Sequence, residues 1–161
     1  MKTAVVTDTN SGITAELGKE LGVYVVPMPV MIDGKTYYEG VNLTQEAFFQ
    51  SLMSGGDITT SQPSPGDVME LWDSVLTEGY DELVYIPMSS GLSNSCASAI
   101  ILAGDYEGRV QVADNHRISV TQYASILDAL KLAKEGKNAF EIKKALEAAA
   151  YDASIYIAVD T

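Results

Sequence analysis

Short runs of β-branched and aromatic residues alternate along the chain with longer segments in which apolar residues recur every three or four positions. Runs of the first kind predict strands, and segments of the second kind predict amphipathic helices. Strands that alternate with helices are typical of βα units around a parallel sheet. We therefore predict an α/β fold with a mainly parallel sheet that is flanked by helices on both faces.

The same pattern locates the individual elements. Strands are predicted at 2–7, 23–32, 81–88, 109–114 and 154–160. Helices are predicted at 13–21, 44–54, 65–79, 93–104, 119–136 and 138–152. The helix at 65–79 has the best-defined start, because Ser64 can cap it and Pro65 suits its first position.

The second predicted strand, "VYVVPMPVMI", carries Pro27 and Pro29. Because each proline lacks an N–H donor, we expect this strand at the edge of a sheet or beside a ligand. Asp33-Gly34 then reads as a tight turn into a short strand, "TYYE". The sequence thus predicts a small hairpin inserted into the α/β frame.

Length and charge narrow the classes of function. A chain of 161 residues fits one domain with its own core. Ten basic and 22 acidic residues give a net charge of −12, which opposes binding to nucleic acid or to an anionic membrane surface. The longest apolar run, at 23–32, has about half the length that a membrane span needs, so we expect no such span.

The cysteine content and the first residues indicate a compartment. Cys96 is the single cysteine, which favours a reducing environment. The N-terminus, "MKTAVVTDTN", has too short an apolar run for a signal peptide. We therefore expect a cytoplasmic protein.

Four polar loops are predicted to share one edge of the sheet, because loops that leave the carboxyl ends of parallel strands gather there. They are "TDTNSG", "TTSQPSP", "SSGLSNS" and "DNHRIS". The second and third are rich in hydroxyls and carry no ionic group. Helix starts at Ser64-Pro65 and Ser93-Asn94 would bring unpaired N–H donors to the same place.

These donors and hydroxyls would bind an anion without any lysine or arginine. The site is predicted near Thr60, Ser61, Ser90 and Ser93. A structural role stays open for each hydroxyl, because serine and threonine are also favoured in helix caps and turns.

Two alternatives stay open, a serine esterase and an inactive fragment of a two-domain protein. "GLSNS" approaches the G-x-S-x-G turn of hydrolases but lacks its last glycine. Ser93 would need a base, and His116, the single histidine, lies in "DNHRIS" beside Asp114.

Other chemistries have little support in the sequence. The chain has no phosphate-loop or dinucleotide motif and no histidine pair for zinc, so we expect no cofactor and no metal. Aspartates at predicted strand ends could face a cation, although turn and cap roles are favoured; they are Asp8, Asp33, Asp114 and Asp160. Cys96 is expected to be inert packing on an apolar helix face.

Several stretches, taken in order, resemble the N-terminal domain of the DegV family of bacterial fatty-acid-binding proteins. They are "VVTDTNSGI", "YVVPMPVMIDGKTYYEGVNLTQEAFF", "TTSQPSPGDV" and "GYDELVYIPMSSGLSNS". The resemblance covers residues 1–161. It implies one α/β domain, without the second domain that encloses the lipid in the family.

The resemblance also implies a function. The expected ligand is a long-chain fatty acid whose carboxylate is held by loop hydroxyls, with the acyl chain buried between two domains. The family is expected to present that carboxylate to a fatty acid kinase, so the protein would be a carrier and not an enzyme. Thr60 and Ser93 match the positions expected to contact the carboxylate. Further hydroxyls or backbone donors are expected from Ser61, Ser90, Gly91 and Asn94.

Overall fold

A computed structural model describes residues 2–38, 43–60, 62–88, 94–114 and 119–149. Within these ranges the chain forms seven strands and six α-helices. The strands are β1 Thr3–Asp8, β2 Val23–Val26, β3 Pro29–Ile32, β4 Lys35–Tyr38, β5 Ile58–Thr60, β6 Glu82–Ile86 and β7 Val110–Val112. The helices are α1 Ala15–Leu21, α2 Gln45–Met53, α3 Pro65–Thr77, α4 Ser95–Ala103, α5 Ser119–Lys134 and α6 Ala139–Ala148.

Among the described residues, the main sheet has four parallel strands in the order β2-β1-β6-β7. β1 lies inside it and pairs with both β2 and β6. All six residues of β1 are buried, as expected for a parallel strand that is covered on both faces. The predicted α/β class and its parallel sheet are therefore confirmed.

Helices cover both faces of this sheet. On one face Val6 and Tyr85 pack with Trp72 of α3 and Cys96 of α4. On the other face a second cluster joins the sheet to α1, α5 and α6, and Val5 and Val84 belong to it. Alternate residues of β1 thus enter opposite clusters, as the two-residue period of a strand requires.

The prediction of one strand at 23–32 was wrong, because the chain leaves the main sheet after Val26 and starts a new strand at Pro29. β2 is an edge strand of the main sheet, as predicted, but β3 is the central strand of a second sheet, in the order β4-β3-β5. Pro29 is tolerated there because it is the first residue of its strand, a position where proline is accepted.

The predicted hairpin is confirmed. Asp33 and Gly34 connect β3 to β4 with φ angles of 51° and 82°, and positive φ at both central residues is typical of a type I′ turn. β5 was not predicted, because "ITT" is too short to show a periodic pattern. It pairs antiparallel with β3, so "TTSQPSP" leaves this small sheet and not a strand of the parallel sheet.

The predicted helices are observed, and α3 starts as expected. Ser64 accepts a hydrogen bond from the backbone N of Asp67 at 3.2 Å, and Pro65 is the first helical residue. The predicted strand at 154–160 lies outside the described residues. None of the helices in the described ranges is long and apolar enough to cross a membrane.

Candidate functional site

The centre of the candidate site is the carboxyl end of β1, where polar residues are buried. Thr7 and Asp8 are both 0% exposed. They reach this depth because β1 lies between β2 and β6 and is covered by helices on both faces. A buried carboxylate at a sheet edge requires hydrogen-bond partners, since an unpaired buried charge is very unfavourable.

Asp8 has hydrogen-bond partners just after β6 and on α5. Its Oδ2 accepts the backbone N–H of Met88 at 2.9 Å, and its Oδ1 accepts the side-chain N–H of Gln122 at 3.0 Å. Gln122 is itself 0% exposed. These bonds connect the end of β1, the residues that follow β6 and the first turns of α5.

Thr7 completes the same network. Its Oγ1 donates to the carbonyl oxygen of Ile86 at 2.7 Å and accepts from Nε2 of Gln122 at 3.0 Å. The same Nε2 lies 3.2 Å from the Ile86 oxygen. Since an amide nitrogen has two hydrogens, Gln122 shares them among three acceptors, one on Asp8, one on Thr7 and one on Ile86.

The turn after β1 holds the other neighbouring strand. Oγ1 of Thr9 accepts the backbone N–H of Met28 at 3.1 Å, just beyond β2. Oγ of Ser11 donates to the carbonyl oxygen of Asp8 at 2.9 Å and accepts the N–H of Ile13 at 3.2 Å. The end of β1 therefore holds the residues that follow both neighbouring strands, β2 and β6.

Tyr85 of β6 lies close enough to this network for the charge of Asp8 to affect its hydroxyl. Burial raises the pKa of its hydroxyl well above the ordinary value, and the negative charge of Asp8 raises that pKa further. The nearby Ser95 hydroxyl lowers the pKa of Tyr85. The Tyr85 hydroxyl nevertheless makes no hydrogen bond of regular geometry within the described residues. The phenol thus stays neutral.

A cleft between the first turns of α3 and α4 lies on the face of the sheet opposite to α5. Gln62, Pro63 and Pro65 line it together with Ser95 and Ser98. Oγ of Ser98 donates to Oε1 of Gln62 at 3.5 Å, the long limit of a hydrogen bond. The second half of "TTSQPSP" and the residues around the end of "SSGLSNS", Ser95 and Ser98, are therefore neighbours in space.

The structure describes two of the six predicted binding residues. Thr60 is the last residue of β5, opposite Val30 of β3. Asn94 occupies the cap position of α4, is exposed, and makes no side-chain capping bond. Ser61, Ser90, Gly91 and Ser93 lie outside the described residues, as does His116 of the alternative triad, so their roles stay predictions.

Of the remaining candidates, Asp33 and Cys96 have structural roles. Oδ1 of Asp33 accepts the N–H of Asp57 at 3.0 Å, which confirms a turn role for Asp33. The backbone N of Asp114 donates to Oε2 of Glu147 at 3.3 Å, and Asp160 lies outside the described ranges. Cys96 is buried in the core, and burial raises the pKa of its thiol to about 12. Among the residues that the structure describes, no cluster of acidic, histidine or cysteine side chains could hold a metal ion.

A groove of about 480 Å³ runs beside α3. Apolar and aromatic side chains from β2, the hairpin and α3 line it, together with two carboxylates. These residues are Val26, Pro27, Tyr38, Leu71, Asp67 and Glu70, and the hydroxyl-bearing Ser74 also lines the groove. The carboxylates make the groove unfavourable for an anionic headgroup, whereas a neutral aliphatic chain can lie along it.

The Thr7, Asp8 and Gln122 network was missed in the sequence, apart from Asp8 as a strand-end carboxylate. A signal was present in α5. Gln122 precedes Ile126 by four residues and Ala129 by seven, which places it on the buried stripe of that helix. A polar residue at an apolar position of a helix indicates a buried hydrogen-bond network.

Comparisons with known proteins show where this architecture recurs. The family model described as "Uncharacterised protein, DegV family" matches residues 2–161. A DegV domain-containing protein of Deinococcus radiodurans is 33% identical over 162 residues, which cover 100% of this chain and 57% of the relative. Another, from Caldanaerobacter subterraneus, is 34% identical over 88% of this chain and 50% of the relative. The chain thus spans about half the length of these curated relatives.

Solved structures of DegV proteins have a similar fold. A DegV family protein of Thermus thermophilus, described by its fatty acid binding, superposes with a TM-score of 0.81 and 32% identity over 93% of this chain and 54% of its own. DegV of Bacillus subtilis, described as a fatty acid binding protein, gives a TM-score of 0.82 and 28% identity over the same shares.

Proposed function

Because the chain belongs to the DegV family, we propose that it binds a long-chain fatty acid and holds the carboxylate between the first turns of α3 and α4. The observation that carries this proposal is the cleft in which Gln62 of "TTSQPSP" meets Ser98, three residues after "SSGLSNS". The fatty acid binding of the solved relatives supports the choice of ligand. The proposed contacts are Thr60, Ser61, Ser90, Gly91, Ser93 and Asn94.

The charge of the protein favours a clamp of hydroxyls and helix ends. With a net charge of −12, the chain repels anions at long range, so a carboxylate needs donors close by. In α3, Ser64 already occupies the N–H of Asp67. Asn94 does not cap α4 in this way, so we place the carboxylate nearer to the start of α4.

The acyl tail needs an apolar surface next to the clamp. The groove beside α3 provides one, because Val26, Pro27 and Leu71 line it and Asp67 belongs to the first turn of the same helix. We place methylenes of the tail that are remote from the carboxylate along this groove. Each buried methylene contributes about 0.8 kcal/mol, so the tail is expected to dominate the affinity.

We also propose a carrier role. We propose that the protein acts in the cytoplasm and presents the bound carboxylate to a fatty acid kinase, and that Ser93 donates a hydrogen bond and does not attack the ligand. The absence of any charged residue from "SSGLSNS" supports a binding loop. Covalent labelling of Ser93 by a fluorophosphonate, lost on His116→Ala, would instead support the esterase.

The proposal is tested by removing lipid from the purified protein and titrating it with palmitic acid. We expect saturable binding, and we expect fatty acid in organic extracts of the untreated protein by mass spectrometry. Replacing both Thr60 and Ser93 by alanine should weaken binding at least tenfold, about 1.4 kcal/mol.

The matched control removes two exposed hydroxyls elsewhere, in Ser54→Ala with Thr77→Ala. Both hydroxyls bond to helix carbonyls away from the cleft, Ser54 to Ser51 and Thr77 to Ser74. Palmitate affinity should stay within twofold of the original. Absence of binding by the delipidated protein would overturn the proposal, and equal affinities for the two double variants would overturn the clamp.

A further inference from the structure

We propose that Asp8 is a positioning residue for the carboxylate clamp, acting through the backbone N–H of Met88. This inference rests on the proposed function. Met88 immediately precedes residues 89–93, the segment that carries Ser90, Gly91 and Ser93. By holding Met88, Asp8 fixes the point at which that segment leaves the sheet.

The register of the sheet gives Asp8 this role. Pairing between β1 and β6 ends at Thr7 opposite Ile86. Beyond that pair the side chain of Asp8 serves as the acceptor in place of a backbone carbonyl, since its Oδ2 accepts the N–H of Met88 at 2.9 Å. The carboxylate therefore extends the ladder past the last paired residues, to the start of the proposed binding segment.

Gln122 orients the carboxylate. Its Nε2 donates to Oδ1 of Asp8 at 3.0 Å, so each carboxylate oxygen has a partner on a different element. Oε1 of Gln122 has no hydrogen-bond partner in the described part of the chain. The interactions of this buried amide thus come from its donor half, which faces Asp8, Thr7 and Ile86.

Asp8 is unsuited to touch the ligand itself. It is 0% exposed, and its negative charge would repel a fatty acid carboxylate. A direct electrostatic role would make neutralisation of Asp8 strengthen binding. A positioning role makes neutralisation weaken it, so the two roles predict opposite signs.

The substitution Asp8→Asn separates these roles. The new side chain keeps one acceptor, but its amide nitrogen must face either the Met88 N–H or the Gln122 amide, both of which are donors. One hydrogen bond is therefore lost. The matched control is Asp33→Asn, because Asp33 also accepts a backbone N–H, from Asp57 at 3.0 Å, but in an exposed turn.

Binding is measured for palmitic acid and for methyl palmitate, which has the same tail without the charged headgroup. We expect Asp8→Asn to weaken palmitate about tenfold or more and methyl palmitate less than twofold, and Asp33→Asn to change neither beyond twofold. An equal loss for both ligands would mean a merely structural role and would overturn the proposal, as would tighter palmitate binding.

A second measurement needs no ligand. Amide NMR of the ligand-free full chain should show shifted resonances and faster hydrogen exchange at Met88 and at residues 89–93 in Asp8→Asn, and neither in Asp33→Asn. Unchanged amides in that segment would overturn the positioning role. If the unsubstituted protein fails to bind palmitate, the proposed function fails, while the NMR comparison still decides whether Asp8 positions the segment.

Gln122→Met provides a second variant in case Asp8→Asn does not fold. Methionine is of similar length and apolar, so it removes the donor to Asp8 while the Met88 bond can persist. We expect the same headgroup-selective loss, about threefold, with smaller shifts at 88–93. An unchanged ratio of palmitate to methyl palmitate affinity in Gln122→Met, together with unchanged amides, would contradict the proposal.

Discussion

Asp8 and Asp33 make the same kind of hydrogen bond in two different regions. Each follows or ends a strand, and each accepts the backbone N–H of a residue beside a neighbouring strand, Met88 at 2.9 Å and Asp57 at 3.0 Å. Asp8 lies in the parallel sheet and is 0% exposed, whereas Asp33 lies in an exposed turn of the small antiparallel sheet.

Equal distances therefore do not mean equal contributions to stability. When the exposed bond is removed, water can satisfy the groups it leaves behind. When the buried bond is removed, a donor stays unpaired in a medium of low dielectric constant, at a cost of about 1–3 kcal/mol. Burial, and not geometry, decides which aspartate matters.

The two sheets as a whole also differ in how much of each is buried. The parallel sheet is packed in two large clusters that include Trp72 and Tyr85 on one face and Ile126 on the other. The buried cluster of the small sheet consists of Val30, Ile32 and Leu43. With so small a core, the antiparallel sheet depends more on the chemistry of its turn than on packing.

The largest expected effect compares the two aspartates directly. Asp8→Asn should lower the free energy of unfolding by about 2–3 kcal/mol, because a charge-assisted bond is lost and a buried donor is left without an acceptor. Asp33→Asn should change it by less than about 0.5 kcal/mol, as for most surface substitutions. Urea unfolding followed by tryptophan fluorescence of buried Trp72 measures both. Equal losses in the two variants would show that burial does not separate the two regions.

Close packing in the parallel half gives the second prediction. A Cβ added at Gly18 of α1 would lie 2.6 Å from the carbonyl oxygen of Val23, so the backbone of α1 or β2 must move. We expect Gly18→Ala to destabilise by about 1–3 kcal/mol despite the better helix propensity of alanine.

Gly104, at the end of α4, is the matched control. It has helical φ and ψ angles of −58° and −23°, and a Cβ there would meet nothing within 4 Å. Gly104→Ala should stabilise by about 0.4–1 kcal/mol, by restricting the unfolded chain. If both variants gain stability in thermal unfolding, the contact between α1 and β2 is less tight than the distance indicates.

The sequence predicted the regular elements better than the sheets to which they belong. Alternating apolar patterns locate the central strands and the helices, because these follow from local periodicity and from caps such as Ser64 before α3. The break between Val26 and Pro29 could not be predicted, since two consecutive apolar strands with a two-residue bend read as one run. β5 was missed for a related reason, as three residues carry no period.

The candidate site shows the same limit. Helix starts and hydroxyl-rich stretches are visible in the sequence, so the cleft between α3 and α4 could be expected. The bond between Asp8 and Gln122 joins residues 114 positions apart. It depends on how α5 lies against β1, which the pattern of either element alone does not determine. In the sequence, only Gln122, the polar residue on the buried stripe of α5, indicated this hydrogen bond.

The smallest expected effect concerns the turn of the small sheet. Gly34 has a φ of +82°, and a Cβ there would meet nothing within 4 Å, so any cost of substitution comes from the backbone conformation. Gly34→Ala should destabilise by about 1 kcal/mol, since an alanine at positive φ is strained. Gly34→Asn should cost less, because asparagine tolerates the left-handed region better than alanine does.

The order of these two variants tests whether turn chemistry holds the small sheet. Urea unfolding gives the two free energies, and amide exchange at Ile32, which pairs with Lys35 next to the turn, reports the local opening. If local conformation controls this region, exchange at Ile32 should accelerate in Gly34→Ala more than in Gly34→Asn, while the parallel sheet keeps its protection. Equal acceleration in both sheets would mean that the two regions unfold as one unit, so that the exposed turn and the buried network contribute to a single cooperative structure.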